Sequence, residues 1–459
     1  MGPLSGLKDR AWHVCSCTLV LTLMTGVVNA APTINSVQVE GDDIQQGVKI
    51  TVMGSGFGEK DQAAPKLYDK TDLVYENGVP NDHYTSYANG ADIVRDNVDP
   101  DALWTKSSEY NWDGVPPRIE RSTARTEHLS AYYSMPGIKS YLGWPRAISG
   151  ANTVRGARHF YISWWMRVKA HPQNYYQHVI SPPEGGMFET GAPEDVGEEV
   201  LVIDTTGKKP DKTARLLHYE VIEDADGRRE VVHIDIDDAK KTEDLGRLIQ
   251  TIRPSGDQVT ATILDQEKSY GSNKFIRVWD NPGGENLRIS WTNDEMSGMG
   301  GRSYTDWIGV SGKWTHMEVW GNLDTRQLVA LVDNEVNHDI QMIDVKEDPN
   351  FSANIGLIGF DGKVQYLQQT DVSEIYLDYT FQRIMIGDAP NWSEVKHAEI
   401  QLPTEWTPTN ISFNLDQGSF EKVTGSLFVY VFDKGNLVNE TGFKLCLDCK
   451  AKPSPVEFN

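Results

Sequence analysis

The chain has 459 residues, with 66 Asp and Glu against 43 Lys and Arg and a net charge of −23. Such an acidic balance excludes ordinary binding to nucleic acid or anionic lipid, because phosphate recognition needs clustered Lys and Arg. It also disfavours a strongly anionic polysaccharide unless a local basic cleft exists.

Residues 1–30 read as a signal peptide. Lys8 and Arg10 give a basic start, Cys17 to Val28 are apolar, and Val28-Asn29-Ala30 supplies small residues for cleavage. That run is shorter than the roughly 20 residues that span a bilayer, and no later stretch is long and apolar enough for a transmembrane helix. The expected mature chain therefore starts near Ala31 and is secreted, at the cell surface or extracellular, with the periplasm as the alternative. Cleavage removes one net positive charge, taking −23 to about −24. The roughly 430 residues left allow two or three domains.

Strand signals then dominate. β-Branched and aromatic runs lie between Gly, Asn, Asp and Pro punctuation at Val48–Met53, Phe160–Val168, Phe275–Trp279, Leu287–Trp291 and Trp314–Trp320. More follow at Leu328–Val332, Ile355–Phe360, Ile375–Tyr379 and Leu427–Phe432. The best helical pattern is Ala239–Thr251. Residues 186–258 are strongly charged, with Glu198, Glu199, Asp235, Asp237 and Asp238 among them, and read as an acidic insertion between core strands. The expected fold class is all-β, a central jelly-roll β-sandwich with a smaller β-sandwich of immunoglobulin type.

Three segments carry a resemblance. Phe160-Tyr-Ile-Ser-Trp-Trp-Met-Arg-Val168 is similar to a long central sandwich strand. Gly312-Lys-Trp-Thr-His-Met-Glu-Val-Trp320 followed by Leu328-Val-Ala-Leu-Val-Asp-Asn-Glu-Val336 resembles a strand pair ending in a "V-D-G" hairpin, with Asn334 where Gly is usual. Ile355–Phe360 and Glu374–Tyr379 resemble closing strands. Together, from about Phe160 to Tyr379 and over about half of the chain, they look like the concanavalin A-like lectin/glucanase superfamily, and the jelly roll is expected over 61–382. That resemblance implies a jelly roll and leaves function open, since the fold serves lectins, hydrolases, lyases and adhesion modules. Pro32-Thr-Ile-Asn-Ser-Val37 and Gly47-Val-Lys-Ile-Thr-Val-Met-Gly-Ser-Gly-Phe-Gly58 resemble the opening of an IPT/TIG immunoglobulin-like domain. Residues 31–60 hold too few strands for such a domain, and Ala398–Leu402, Asn410–Phe413, Gly425–Phe432 and Gly435–Phe443 read as its later strands. The expectation is a discontinuous domain, 31–60 completed by 383–459, with the jelly roll inserted.

Alternation places Trp314, His316, Glu318 and Trp320 on one strand face, and Arg277 and Trp279 on one face of another. If both faces belong to one concave sheet, Arg277, Trp279, His316, Glu318 and Trp320 form a glycan-binding groove of stacking rings and directional donors. The competing reading covers the two tryptophans with loops or the insertion, and pairs Glu318 with Arg277 as sheet-stabilising charges. Paired acids for a glycoside hydrolase are missing: the glucanase-type E-x-D-x-x-E strand is absent, and Tyr376 stands between Glu374 and Asp378. Arg167, Tyr176, Gln177 and His178 are a thin match to the cluster a polysaccharide lyase needs. Asp96, Asp99 and Asp101 form an oxygen-rich loop for a structural calcium ion, without EF-hand spacing. No cofactor is required by any of these residues. After cleavage Cys446 and Cys449 remain and read as a disulfide.

The function expected is that of a glycan-binding or adhesive protein with a polysaccharide or surface glycan as partner. A polysaccharide-active enzyme, lyase before glycoside hydrolase, and a structural subunit of an extracellular assembly are the alternatives.

Overall fold

In a computed structural model the chain is described over residues 30–446, except 42–43, 94–98, 106–115, 123, 136–139, 169–174, 182–185, 188–198, 225–226, 236–243, 254, 270–273, 281–287, 293–294, 311, 346–352, 357–369 and 423–425. Residues 1–29 of the expected signal peptide, Asp96 and Cys449 lie outside those residues. The chain is all-β, as expected, and every strand pair among the described residues is antiparallel. No helix among the described residues is long and apolar enough to cross a membrane.

The central β-sandwich has a large and a small sheet. In the large sheet Glu335–Gln341, Gln327–Val332, Trp314–Asn322, His159–Val168, Thr370–Asp378 and Leu67–Asp69 are successive neighbours. The small sheet runs through Gly301–Ser303, Met296–Gly298, Arg288–Thr292, Lys274–Asp280 and Ala353–Gly356. Period-two alternation decides which residues meet between them. Ile162, Trp164, Met166, Met317 and Val319 pack with Ile276, Val278, Ile289 and Trp291 in one core. The hairpin after Val332 turns on Asp333 and Asn334, with φ of 48° and 63°. Positive φ at both central residues is the geometry a two-residue hairpin requires, and Asp and Asn tolerate it.

The two ends of the described chain build a second sandwich. Lys49–Ser55 pairs with Thr33–Val39 on one side and with Asn410–Asn414 on the other. Arg383–Gly387 pairs with Ala398–Gln401 and Ser426–Phe432 in the facing sheet. Ile50, Val52, Ile411 and Phe413 from the first sheet meet Ile384, Ile386, Val429 and Val431 from the second. This terminal sandwich lies on the outer face of the large sheet, where Tyr161 and Tyr376 pack with Met385, Ile400, Tyr430 and Phe432.

The acidic stretch is a β module. Tyr175–Ile180, Gly227–Asp235, Lys212–Asp224, Glu199–Ile203, Leu248–Ile252 and Gln258–Ser269 pair in that order, and the last returns to the first, closing a ring. The helix expected over Ala239–Thr251 is not formed: Leu248–Ile252 is a strand, and 239–243 lie outside the described residues. Ile249 enters the ring's apolar core while Leu248 and Gln250 do not, so a two-residue period displaces the helical one.

Candidate binding cleft between the sandwiches

The expected groove does not form. Met317 and Val319 face the core shared with Ile276 and Val278, so His316 and Glu318 point out of one side of the central sandwich and Arg277 out of the other. His316, Glu318 and Arg277 are all buried. His316 and Glu318 lie under the terminal sandwich. There Glu318 accepts the Tyr161 hydroxyl at 2.6 Å, and His316 lies 4.9 Å from the Trp165 ring. Trp320 packs on Phe381 at 5.6 Å. The Trp279 backbone pairs within the small sheet, and its side chain lies outside the described residues.

The lyase-type residues are also committed elsewhere. Arg167 pairs with Asp371 at 2.7 Å and stacks on Trp314 at 4.8 Å. His178 is fully buried on the side of its strand that carries Ile180, facing the ring's core, and meets Asp244 at 3.4 Å. The side chains of Tyr176 and Gln177 lie outside the described residues. Asp99 is bonded by His83 at 2.7 Å, Tyr87 at 2.9 Å and the Asp101 amide at 3.0 Å; Asp101 is exposed. Among the described residues no three His, Cys, Asp or Glu cluster to hold a metal ion. The Cys446 side chain, like Cys449, lies outside the described residues.

The contact between the sandwiches is where charges converge. Ala398–Gln401 brings Glu399 against the large sheet, and a register shift in Thr370–Asp378 brings Glu374 there with a φ of 50°. An extra residue in one strand of a pair re-aims a side chain in this way. Arg125 holds both carboxylates, with Nη1 and Nη2 donating to the two Glu399 oxygens at 2.7 and 2.9 Å and Nε donating to Glu374. Its guanidinium stacks 4.0 Å from the Trp165 ring. Burial pushes both acids up. Arg125 and His397 overcome this at Glu399, which is held well below the usual carboxylate range, whereas Glu374 stays raised.

Ser419, His397 and Glu399 touch one another but do not make a nucleophilic relay. Ser419 Oγ and Glu399 Oε1 both meet His397 on Nε2, at 2.6 and 3.0 Å, and the serine hydroxyl also donates to Glu399 at 2.9 Å. A relay needs the acid on the opposite ring nitrogen, leaving the serine free to lose its proton. The group is a clamp on the loop at Gly418, whose φ is +52° and whose added Cβ would lie 2.5 Å from both Glu399 oxygens. Gly418→Ala is expected to cost about 2 kcal/mol, read as a lowered thermal midpoint; an unchanged midpoint would show that the clamp yields freely.

Beside this network a cleft of about 420 Å³ opens between the sandwiches. The central sandwich gives it Tyr68, Lys70, Asp72, Leu73, Tyr75 and His128–Ser130, and the terminal sandwich gives Gln46, Leu402, Thr404 and Asn414–Asp416. Its polar groups are held in place. Lys70 is ion-paired with Asp416, which also accepts Gln46 Nε2 at 3.2 Å and the Tyr68 hydroxyl at 3.4 Å. Asp72 takes both terminal nitrogens of Arg121 and the Ser130 hydroxyl. Leu73 is exposed and Tyr75 half-buried, so an apolar flank lies next to fixed donors and acceptors.

None of these cleft residues was singled out in the sequence. Their polar side chains stand in short strands and loops without a spacing that marks them, and only the pairing of the two chain ends brings Lys70 to Asp416.

No protein-family model matches the sequence, and no curated protein matches it. Among solved structures, the chain is similar to the botulinum neurotoxin serotype D binding domain at 6% identity and a TM-score of 0.22, over 57% of this chain and 42% of that one. It thus spans less than half the length of that structure. A similarity to the Emp46p carbohydrate recognition domain has 10% identity and a TM-score of 0.19, over 57% of this chain and 87% of that one. Overlaps this loose assign the chain neither a family nor a ligand.

Proposed function

We propose that the chain is an exported glycan-binding protein and that the cleft between its two sandwiches is the binding site. The observation that carries this reading is the pairing of an apolar flank, Leu73 and Tyr75, with polar groups already fixed by the Lys70–Asp416 and Arg121–Asp72 ion pairs. Sugars present ring C–H faces that pack on aromatic and aliphatic side chains, and hydroxyls that both donate and accept. Groups held in place before binding lose little entropy on capture. The cleft's volume lies in the usual range for small-ligand sites, about 300–1,000 Å³. The basic, apolar and small-residue pattern of residues 1–30 supports export.

The test is a glycan array followed by calorimetry on the best ligand. Tyr75→Ala is expected to weaken binding at least about tenfold, the loss of about 1.4 kcal/mol of stacking, together with a lowered unfolding midpoint because Tyr75 also packs against the buried cluster of Tyr68 and Tyr376. Full affinity in that variant, or no binding to any glycan, sinks the proposal. Binding without release of shortened or unsaturated products separates this reading from a polysaccharide lyase or hydrolase, and concentration-dependent polymers without glycan affinity would favour a structural subunit.

A further inference from the structure

Resting on the glycan reading of the cleft, we infer that the site is built for neutral sugars and discriminates against uronates. Among the described residues lining the cleft, Lys70 is the one lysine or arginine. It is already ion-paired with Asp416, their side chains 17% and 12% exposed. Asp72, the other carboxylate in the lining, is matched by Arg121. Among the described residues the lining and its partners therefore carry no lysine or arginine without its own anion, and an incoming carboxylate adds a negative charge with no fixed counter-charge from them.

Hydrogen-bonding capacity points the same way. An ionised carboxylate offers about four acceptor positions. Asp416 fills them with Lys70, Tyr68, Gln46 and the Gly418 amide. Asp72 takes Ser130 and two bonds from Arg121, which leaves room for a sugar hydroxyl to donate. Lys70 has three N–H donors and one carboxylate partner, so it can still donate to a hydroxyl oxygen. A neutral hydroxyl satisfies both Asp72 and Lys70; of these two a carboxylate can use only Lys70 and must do so beside Asp416.

The surroundings deepen the negative potential. The Tyr68 hydroxyl is held well above its usual range by burial and then by Asp416, Glu374 and Glu399, with Arg125 opposing them. The whole chain, at −23, adds long-range repulsion of polyanions.

The experiment uses the full chain and matched probes: cellohexaose, laminarihexaose and mannohexaose against the same hexaoses oxidised to carboxylates at C6. Calorimetry at about 20 mM salt is expected to show a neutral hexaose binding at least about tenfold more tightly than its oxidised form. The gap should narrow at about 0.5 M salt, where screening cuts the repulsion. Asp416→Asn, which leaves Lys70 without its anion, is expected to move selectivity toward the oxidised ligand by about threefold or more. Asp72→Asn gives the same direction if the first variant fails to fold. An oxidised hexaose that binds as tightly as the neutral one, or more tightly, overturns the inference and leaves the cleft a glycan site. No binding by either series at millimolar concentration overturns the glycan reading along with the inference.

Discussion

Replacing Arg125 by methionine is expected to destabilise the chain by about 3–5 kcal/mol, the usual cost of stripping one partner from a buried ion pair. The side chain is 2% exposed, and Glu374 and Glu399 are 3% and 4% exposed, so neither carboxylate can turn to water when the guanidinium is lost. Methionine keeps the aliphatic stem and much of the contact with Trp165, so packing loss is small. The pH dependence identifies the cause. In the wild type, Glu399 lies below its unfolded value; its contribution is complete above about pH 4.3 and is lost as pH falls toward the folded value. Without Arg125, Glu374, already raised, rises further and burial drives Glu399 upward as well. A carboxyl raised above its unfolded value contributes fully below about pH 4.3, and the contribution is lost as pH rises. The deficit of the variant should thus be largest at neutral pH and shrink towards pH 4. Urea midpoints at the two pH values, at unchanged slope, measure it. A deficit that is constant or grows on acidification would mean that Arg125 acts through packing alone. Replacing Arg125, Glu374 and Glu399 together by apolar residues should recover most of the loss, since it leaves no charge buried alone.

The strand content of both sandwiches was legible because their inward positions alternate cleanly. Val48–Met53, Trp314–Trp320, Leu328–Val332 and Leu427–Phe432 each fall within one or two residues of an observed strand. The ring was not legible as a module. Lys212–Asp224 and Gly227–Asp235 are rich in charged residues, and a charged stretch reads as an insertion until its partners are known. Buried Val231, Val232 and Ile234, with polar neighbours, gave too short an apolar signal to fix a strand face.

The site was less legible than the fold, for a different reason. Alternation correctly put His316 and Glu318 on the face opposite Met317 and Val319, but says nothing of what lies above that face. The covering layer comes from Arg383–Gly387 and Ala398–Gln401, whose own outward residues, Met385 and Ile400, are apolar and meet Tyr161 and Tyr376. Glu374 stood in a segment set aside for lacking paired acids, and its partner Arg125 comes from a loop 249 residues earlier. Sequence separations of that size carry no periodic signature. Such pairs emerge only from topology.

Asp69 carries the second large effect. It is fully buried on Leu67–Asp69, and among the described residues no cation is bonded to it. Its Oδ2 accepts the Tyr133 hydroxyl at 2.7 Å and Trp104 Nε1 at 2.8 Å, and its Oδ1 accepts the Thr71 amide at 2.7 Å. Burial pushes the carboxyl up to about 6, with these hydrogen bonds partly offsetting the rise. Because the folded value lies above the unfolded one, the group's stabilisation is complete below about pH 3.9 and is lost as pH rises through about 6. A shift of about two units corresponds to about 3 kcal/mol. Asp69→Asn does not titrate, and its amide hydrogens meet a pocket of donors, which costs about 1–3 kcal/mol at pH 4. Between pH 4 and pH 7 the wild type should lose its advantage over the variant and fall level with it or below. Denaturant midpoints of both proteins across that range test this, and the Asp69 carboxyl carbon should titrate near 6 by NMR. A difference between the two proteins that does not vary with pH would place Asp69 in its ionised form throughout, with the three donors outweighing burial.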